Sequence, residues 1–282
     1  MITPRSQITA TDVSRHYDDL DPFYRRLWGD HVHHGLWLNG RETPDQAVEQ
    51  LVDLVAKHLG VSPGDQVCDV GCGYGAAARY LARVHGADVT GVTISKTQFD
   101  HAQQMSRDGE SPRFLLQNWE SNTFRSESFE GIVSIECLAH IENKEVFFRE
   151  IQRVLRPGRR AVITAWLAGE TARRWENRHL LEPICREGRL PGMGTEREYV
   201  QLLQDVGLHL VEFQDLSLSV RKTWRICARR VLALLLTSRD AWRFLLKRQS
   251  ADSIFLVTVW RILMAYRTGA MRYGLFVMEK SE

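Results

Sequence analysis

Along most of the chain the apolar positions switch between helical and strand spacing. Val48, Leu51, Val52, Val55 and Leu59 recur at helical intervals. Thr43 and Gln46 frame Pro44 as a capping box and Gly60 closes the pattern, which predicts a helix over 44–59. The turn SPGD (62–65) then feeds a short apolar strand, QVCDV (66–70). Helix 75–85, strand 88–93, helix 96–107, strands 113–117 and 129–135, helix 144–155, an RPG turn at 156–158 and strand 160–166 follow. That βαβ rhythm predicts an α/β fold, a mostly parallel sheet with helices on both faces.

The rhythm breaks after Trp166. Residues 168–194 hold scattered charges, Pro183 and a PGMG turn, as expected of an insertion over the carboxyl edge of the sheet. Thr195 and Glu198 open another capped helix, closed by Gly207, and LHLVEFQDLS (208–217) reads as a strand. Residues 219–267 read as two or three basic amphipathic helices, and RYGLFVMEK (272–280) as a strand returning to the sheet. The expected organisation is a lid over 1–43, a core over 44–218 and 271–282, and a helical substrate cap from 168–194 and 219–270.

Composition narrows the class. At 282 residues, 44% hydrophobic and 26% charged, the chain can bury a substantial core. Its apolar runs, VLALLL (231–236) and IFLVTVW (254–260), are far too short to span a bilayer. The polar N-terminus has no secretory core, so the expected location is cytoplasmic. The five cysteines are scattered without a CxxC pair, which predicts free thiols and no metal site. Charge is uneven: 219–270 carries eleven Lys/Arg against two Asp, a local +9 in a chain of net +2. Without a recognisable nucleic-acid module, this asymmetry suggests a lid for a hydrophobic small-molecule acceptor, with contact to an anionic membrane surface as a second, membrane-peripheral use.

The candidate chemistry begins at "VCDVGCGYGAAARYLA" (67–82). Gly71, Gly73 and Gly75 lie between a strand and a helix, where backbone amides approach a ligand at the positive helix end. Asp69, two residues ahead, would repel a pyrophosphate but suit an ammonium or sulfonium group, which favours S-adenosylmethionine over a dinucleotide.

The stretch resembles motif I of the Rossmann-like class I S-adenosylmethionine-dependent methyltransferases, which implies a seven-stranded sheet and S-adenosylhomocysteine as product. "VTGVTISKTQ" (89–98), "FLLQNWES" (114–121) and "GIVSIECLAHI" (131–141) resemble the mycolic and cyclopropane fatty acid synthases. "LWGDHVHHGLW" (27–37) and "YRTGAMRYGLFVMEK" (266–280) are closer to γ-tocopherol methyltransferases and their alkaloid N-methylating relatives. The resemblance implies that Thr93, Ile94, Ser95 and Gln98 replace the usual ribose carboxylate. Ser95 also reads as the N-cap of the next helix with Gln98 at N3, and both roles can hold together. Asn118, Trp119 and Glu120 are implied to flank the adenine, although Trp119 also reads as a core aromatic. Ile135 and Glu136 close the fourth strand at the ligand-binding edge.

The same resemblance places His33, His34 and Gly35 over the donor, with Tyr17 and Trp28 as lid aromatics. Candidate bases are His31, His33, His34, Glu136 and His140, and each of the histidines also has a structural reading. Cyclopropane synthases carry a glutamate before the histidine matching His140, where it helps hold bicarbonate. Here the residue is Ala139, which argues against alkene cyclopropanation. Three functions remain open: methylation of a lipophilic prenylated phenol, isoprenoid or alkaloid at carbon or nitrogen; methylation of a fatty-acyl or polyprenyl chain, with or without cyclisation; and a methyltransferase-like cyclase or binding protein.

Overall fold

The computed structural model describes residues 1–106, 109–237 and 251–282. Seven strands form one sheet: β1 (Gln66–Val70), β2 (Asp88–Thr93), β3 (Arg113–Leu116), β4 (Phe129–Ile135), β5 (Leu155–Ala168), β6 (Leu208–Asp215) and β7 (Met271–Lys280). Their order is β3-β2-β1-β4-β5-β7-β6. All neighbours from β3 to β5 are parallel, and β7 inserts antiparallel between β5 and β6. The expected mostly parallel sheet is present.

Helices α1 (Ala10–Asp19) and α2 (Asp21–Trp28) precede α3 (Pro44–Leu59). Thr43 Oγ1 accepts from Gln46 N, and Gln46 Oε1 accepts from Thr43 N, so the capping box forms as expected. The parallel crossovers are α4 (Ala76–His85), α5 (Lys96–Gln104) and α6 (Lys144–Val154). Period-two alternation divides the core: Val67 of β1 packs with α3 and α4, whereas Cys68 and Val70 pack with α6. Each face of the sheet is thereby covered, as a parallel sheet requires.

Beyond β5 the chain forms α7 (Arg174–Glu176), a π turn (Asn177–Leu181) and α8 (Glu182–Glu187) without a break in helical backbone. Then come α9 (Glu196–Asp205), one turn α10 (Ser217–Val220), α11 (Lys222–Thr237) and α12 (Ala251–Thr268). The part of the expected basic helices at 238–250, and residue 107 at the end of the expected helix 96–107, lie outside the described residues.

Two boundaries differ from the sequence reading by more than two residues. The RPG turn is not a connection outside the sheet: β5 begins at Leu155, which pairs with Phe129. Gly158 takes φ +67 there, and the register with β4 jumps so that Gly131 faces Arg160. A bulge absorbs the turn. Helix α5 stops at Gln104, with Met105 as C-cap.

Because β1, β2, β4 and β5 run the same way, their carboxyl ends open on one edge. The chain leaves β1 and β4 towards opposite sides, and the crevice between those two strand ends is where open α/β sheets bind ligands.

Candidate active site

A cavity of about 500 Å³ fills that crevice. Its floor is Val70, Gly71 and Gly73, and its far walls come from α1, α2, α8, α11 and α12. Gly71 takes φ +77 and packs so tightly on Cys137 that an added Cβ would collide with Sγ. Only glycine allows both. At Gly73 (φ +54) the nearest atom to an added Cβ is Gln98 Nε2, at 3.9 Å, so this glycine faces open space.

Asp69 lies behind the floor rather than in its mouth. It is 1% exposed, its Oδ2 has no hydrogen-bond partner, and burial raises its carboxyl to about 7. A buried carboxylate oxygen with no partner, directly beneath the glycine loop, fits a cationic group above it.

At the end of β2, Thr93 Oγ1 donates to Gln98 Oε1 at 3.2 Å, which turns the Gln98 amide nitrogen towards Gly73. Thr93, Ile94 and Gln98 all line the cavity. Ser95 does not. Its Oγ caps α5 by accepting from Gln98 N (3.2 Å) and donates to Asp18 Oδ1 at 2.6 Å. Asp18 also accepts from Thr97 N at 3.1 Å, so α1 is tied to the β2 turn by a residue the sequence reading did not single out.

Asn118, Trp119 and Glu120 line the next wall, each with a structural partner. Asn118 Oδ1 accepts from Glu120 N (2.9 Å), Trp119 Nε1 donates to Phe147 O (3.2 Å), and Glu120 Oε1 accepts from Asn143 N (2.7 Å). Trp119 is therefore a core aromatic that also presents an edge to the cavity.

His34 and Glu136 meet in a buried network. Glu136 adopts φ +61, a strained conformation for a residue with a Cβ, and turns its carboxylate inward. Oε1 accepts from His34 N (2.6 Å), His34 Nδ1 (2.9 Å) and the Tyr273 hydroxyl (2.9 Å), while Oε2 accepts from Trp166 Nε1 (2.8 Å). Burial alone would raise this carboxyl, but the hydrogen bonds it accepts, those from His34 first, outweigh it and hold the group below the ordinary carboxylate range. His34 Nε2 in turn accepts from Trp224 Nε1 at 2.6 Å. An indole nitrogen only donates, so Nε2 carries no proton and His34 is the neutral Nδ1–H tautomer.

His33 is similarly engaged. Its Nδ1 donates to His34 O (2.8 Å), and its Nε2 accepts from His31 Nδ1 (3.0 Å). Gly35 does not line the cavity: its N–H donates to Thr223 Oγ1 at 3.0 Å, and a Cβ would collide with Ala47. Gly75 likewise stands away from the cavity, its α-face filled by Phe114. Thus His33, His34 and Glu136 border the site with their polar atoms already paired.

Tyr17 and His140 form the remaining pair. The Tyr17 hydroxyl is 2.9 Å from His140 Nε2, and His140 Nδ1 is 3.4 Å from Arg189 O. A carbonyl only accepts, so Nδ1 holds the proton and Tyr17 donates to Nε2. Burial, helped by nearby His16, pushes His140 down to about 3. Both side chains line the cavity beside apolar residues from α8, the segment after it, α11 and α12, among them Ile184, Leu190, Trp224 and Ile262. Among the described residues, no three His, Cys, Asp or Glu side chains gather as a metal site would require.

The family model for mycolic acid cyclopropane synthetase matches residues 5–240. The chain belongs to that family. Its curated relatives include "O-methyltransferase resE" of Aspergillus sclerotiorum, 30% identical over 81% of this chain and 87% of that protein. Chloroplastic tocopherol O-methyltransferase of Arabidopsis thaliana is 27% identical over 95% of this chain and 81% of its own. Among solved structures, the [4+2]-cyclase SpnF superposes with a TM-score of 0.82, at 24% identity over 100% of this chain and 99% of its own, a likeness of fold. The enzyme is an S-adenosylmethionine-dependent methyltransferase by family. None of its described helices is long and apolar enough to cross a membrane.

Proposed function

We propose that this methyltransferase moves a methyl group from S-adenosylmethionine to a lipophilic small molecule, a prenylated phenol or other isoprenoid, at carbon or oxygen. The observation that carries the reading is the single cavity running from Gly71 and Gly73 past Tyr17 and His140 to the apolar cap. The relatives' printed activities, on tocopherol among others, support the acceptor class.

The donor fits the residues present. Gly73 leaves backbone room, Asp69 supplies unsatisfied negative charge below the loop, and Thr93 with Gln98 offers neutral polar groups for hydroxyls. Bound there, S-adenosylmethionine supplies an electrophilic methyl. The protein's own part is to align the acceptor, exclude water and handle a proton.

Tyr17 and His140 are the groups for that proton. An acceptor proton passes to the Tyr17 oxygen as the Tyr17 proton moves to His140 Nε2. A base held near 3 is too weak to strip a neutral phenol or take a proton from an alkylammonium. It is strong enough for an acceptor that becomes a strong acid on methylation, such as a cationic ring carbon or an oxonium. The relay therefore suits methylation at carbon or oxygen, whereas an amine acceptor needs no base for the transfer itself.

The test is incubation with S-adenosylmethionine labelled in the methyl group and three probes: a prenylated hydroquinone, a polyprenyl alcohol and a long-chain unsaturated fatty acid. Labelled prenylated hydroquinone supports the reading. Label in the fatty acid alone moves the function to the acyl chain, and saturable donor binding without label in any probe favours a cyclase or binding protein.

A further inference from the structure

Lys144 is the first residue of α6 and is only 4% exposed. The position runs against two rules: a cation at a helix N-terminus opposes the helix dipole, and a buried ammonium loses its hydration. Such a residue persists where its contacts have a use. Its Nζ donates to the carbonyls of Ala139 (3.2 Å) and Ile141, the two residues that flank His140.

His140 sits in a single 3-10 turn, Leu138–His140, whose own support is His140 N to Cys137 O at 2.8 Å and Ile141 N to Leu138 O at 3.3 Å. One turn of this type is weak by itself. The other side of the segment is held by Glu120, which accepts from Asn143 N at 2.7 Å and Glu142 N at 3.3 Å. The groups facing Lys144 are the Glu120 carboxylate and the Cys137 and Cys185 thiols, both thiols pushed up to about 12 by burial. The ammonium therefore answers mainly to the two carbonyls.

We propose that Lys144 is a positioning residue: it locks the backbone on both sides of His140 so that the imidazole meets the Tyr17 hydroxyl. It does not line the cavity and acts through His140, so the inference rests on the role proposed for that histidine. The Ala139 carbonyl that it holds belongs to the position where cyclopropane synthases carry glutamate.

The test uses the full chain with isotope-labelled histidine, read by nitrogen NMR, and turnover on whichever of the three probes is methylated. In Lys144→Met the His140 ring resonances shift away from the pure Nδ1–H tautomer. Turnover falls on the order of tenfold, with donor affinity unchanged, because small misplacement of a reacting pair is costly in rate. Lys144→Gln, which keeps a donor, recovers part of both. In a His140→Ala background, Lys144→Met costs nothing further. Unchanged His140 resonances, or an equal loss of turnover in the His140→Ala background, would overturn the proposal. Should Lys144→Met not fold, Lys144→Gln carries the same readouts in milder form. Full turnover in His140→Ala alone defeats the proposed function instead, and the resonances then decide the case of Lys144.

Discussion

Replacing Glu136 by glutamine changes one atom and tests the buried network. The carboxylate accepts four hydrogen bonds, from His34 N, His34 Nδ1, Tyr273 and Trp166. Glutamine has one acceptor oxygen. If it faces His34, its NH₂ meets the Trp166 N–H donor to donor, and the reverse orientation strands the His34 donors. A buried donor left unpaired costs about 1–3 kcal/mol, and lost charge assistance adds to it.

Linkage gives the pH dependence. The hydrogen bonds it accepts hold the native carboxyl below its ordinary 4.5. Because the native pKa is the lower one, the stability it carries is complete above about 4.5 and is lost as pH falls below that. The unpaired donor predicts a loss of about 1–3 kcal/mol at neutral pH, or roughly 2–12 °C in thermal midpoint for a domain of this size. Thermal unfolding followed by circular dichroism measures it, and the gap between wild type and Glu136→Gln should narrow below about pH 4.5. A shift under about 2 °C at neutral pH would refute the network's energetics, as would a gap independent of pH.

Three further outcomes follow from the geometry. Asp69 is held at about 7 by burial, so a cation bound above it must displace a proton at lower pH. Calorimetric affinity for S-adenosylmethionine should therefore weaken up to about tenfold per unit below that value, and Asp69→Asn should bind weakly with little pH dependence. His16, His31 and His140 are depressed to about 4, 3 and 3, mainly by burial, and stay neutral in the fold while the unfolded chain takes up protons below about 6.5. Stability should decline from there as pH falls, with a shallower slope in His140→Gln, measurable by urea unfolding at stepped pH. Asp18→Asn removes the charged partner of Ser95 Oγ and Thr97 N, so it should weaken donor binding several-fold without lowering turnover at saturating donor. An unchanged dissociation constant would show that α1 does not hold the β2 turn in its binding shape.

Much of the fold could be read because its signals are local. The capping box at Thr43 and Gln46, the apolar strand ahead of Gly71 and the alternation through β4 depend on neighbours a few residues away. The bulge in β5 was not legible, since Arg-Pro-Gly is a turn by local preference and only pairing with Phe129 takes it into the sheet. The site divides in the same way. Gly71 and Gly73 stand in one local motif and Thr93 and Gln98 in the next, and all four line one cavity.

The role of His34 depends on Glu136, 102 positions away, and on Trp224, 190 away. The HxHHG spelling could not reveal that both ring nitrogens are occupied. Ser95 is a related case: its capping role was visible in the spacing, whereas its bond to Asp18 came from packing of α1. Lys144 reads as an ordinary helix-start charge until its burial is known.

Transfer of an isotopically labelled methyl group to a prenylated hydroquinone, followed by mass spectrometry, tests the central claim most directly. The account predicts labelled product with wild type, and a large loss of rate with donor binding retained in His140→Ala. Tight, saturable binding of S-adenosylmethionine with the labelled methyl still on its sulfur, and none in any acceptor, would contradict it.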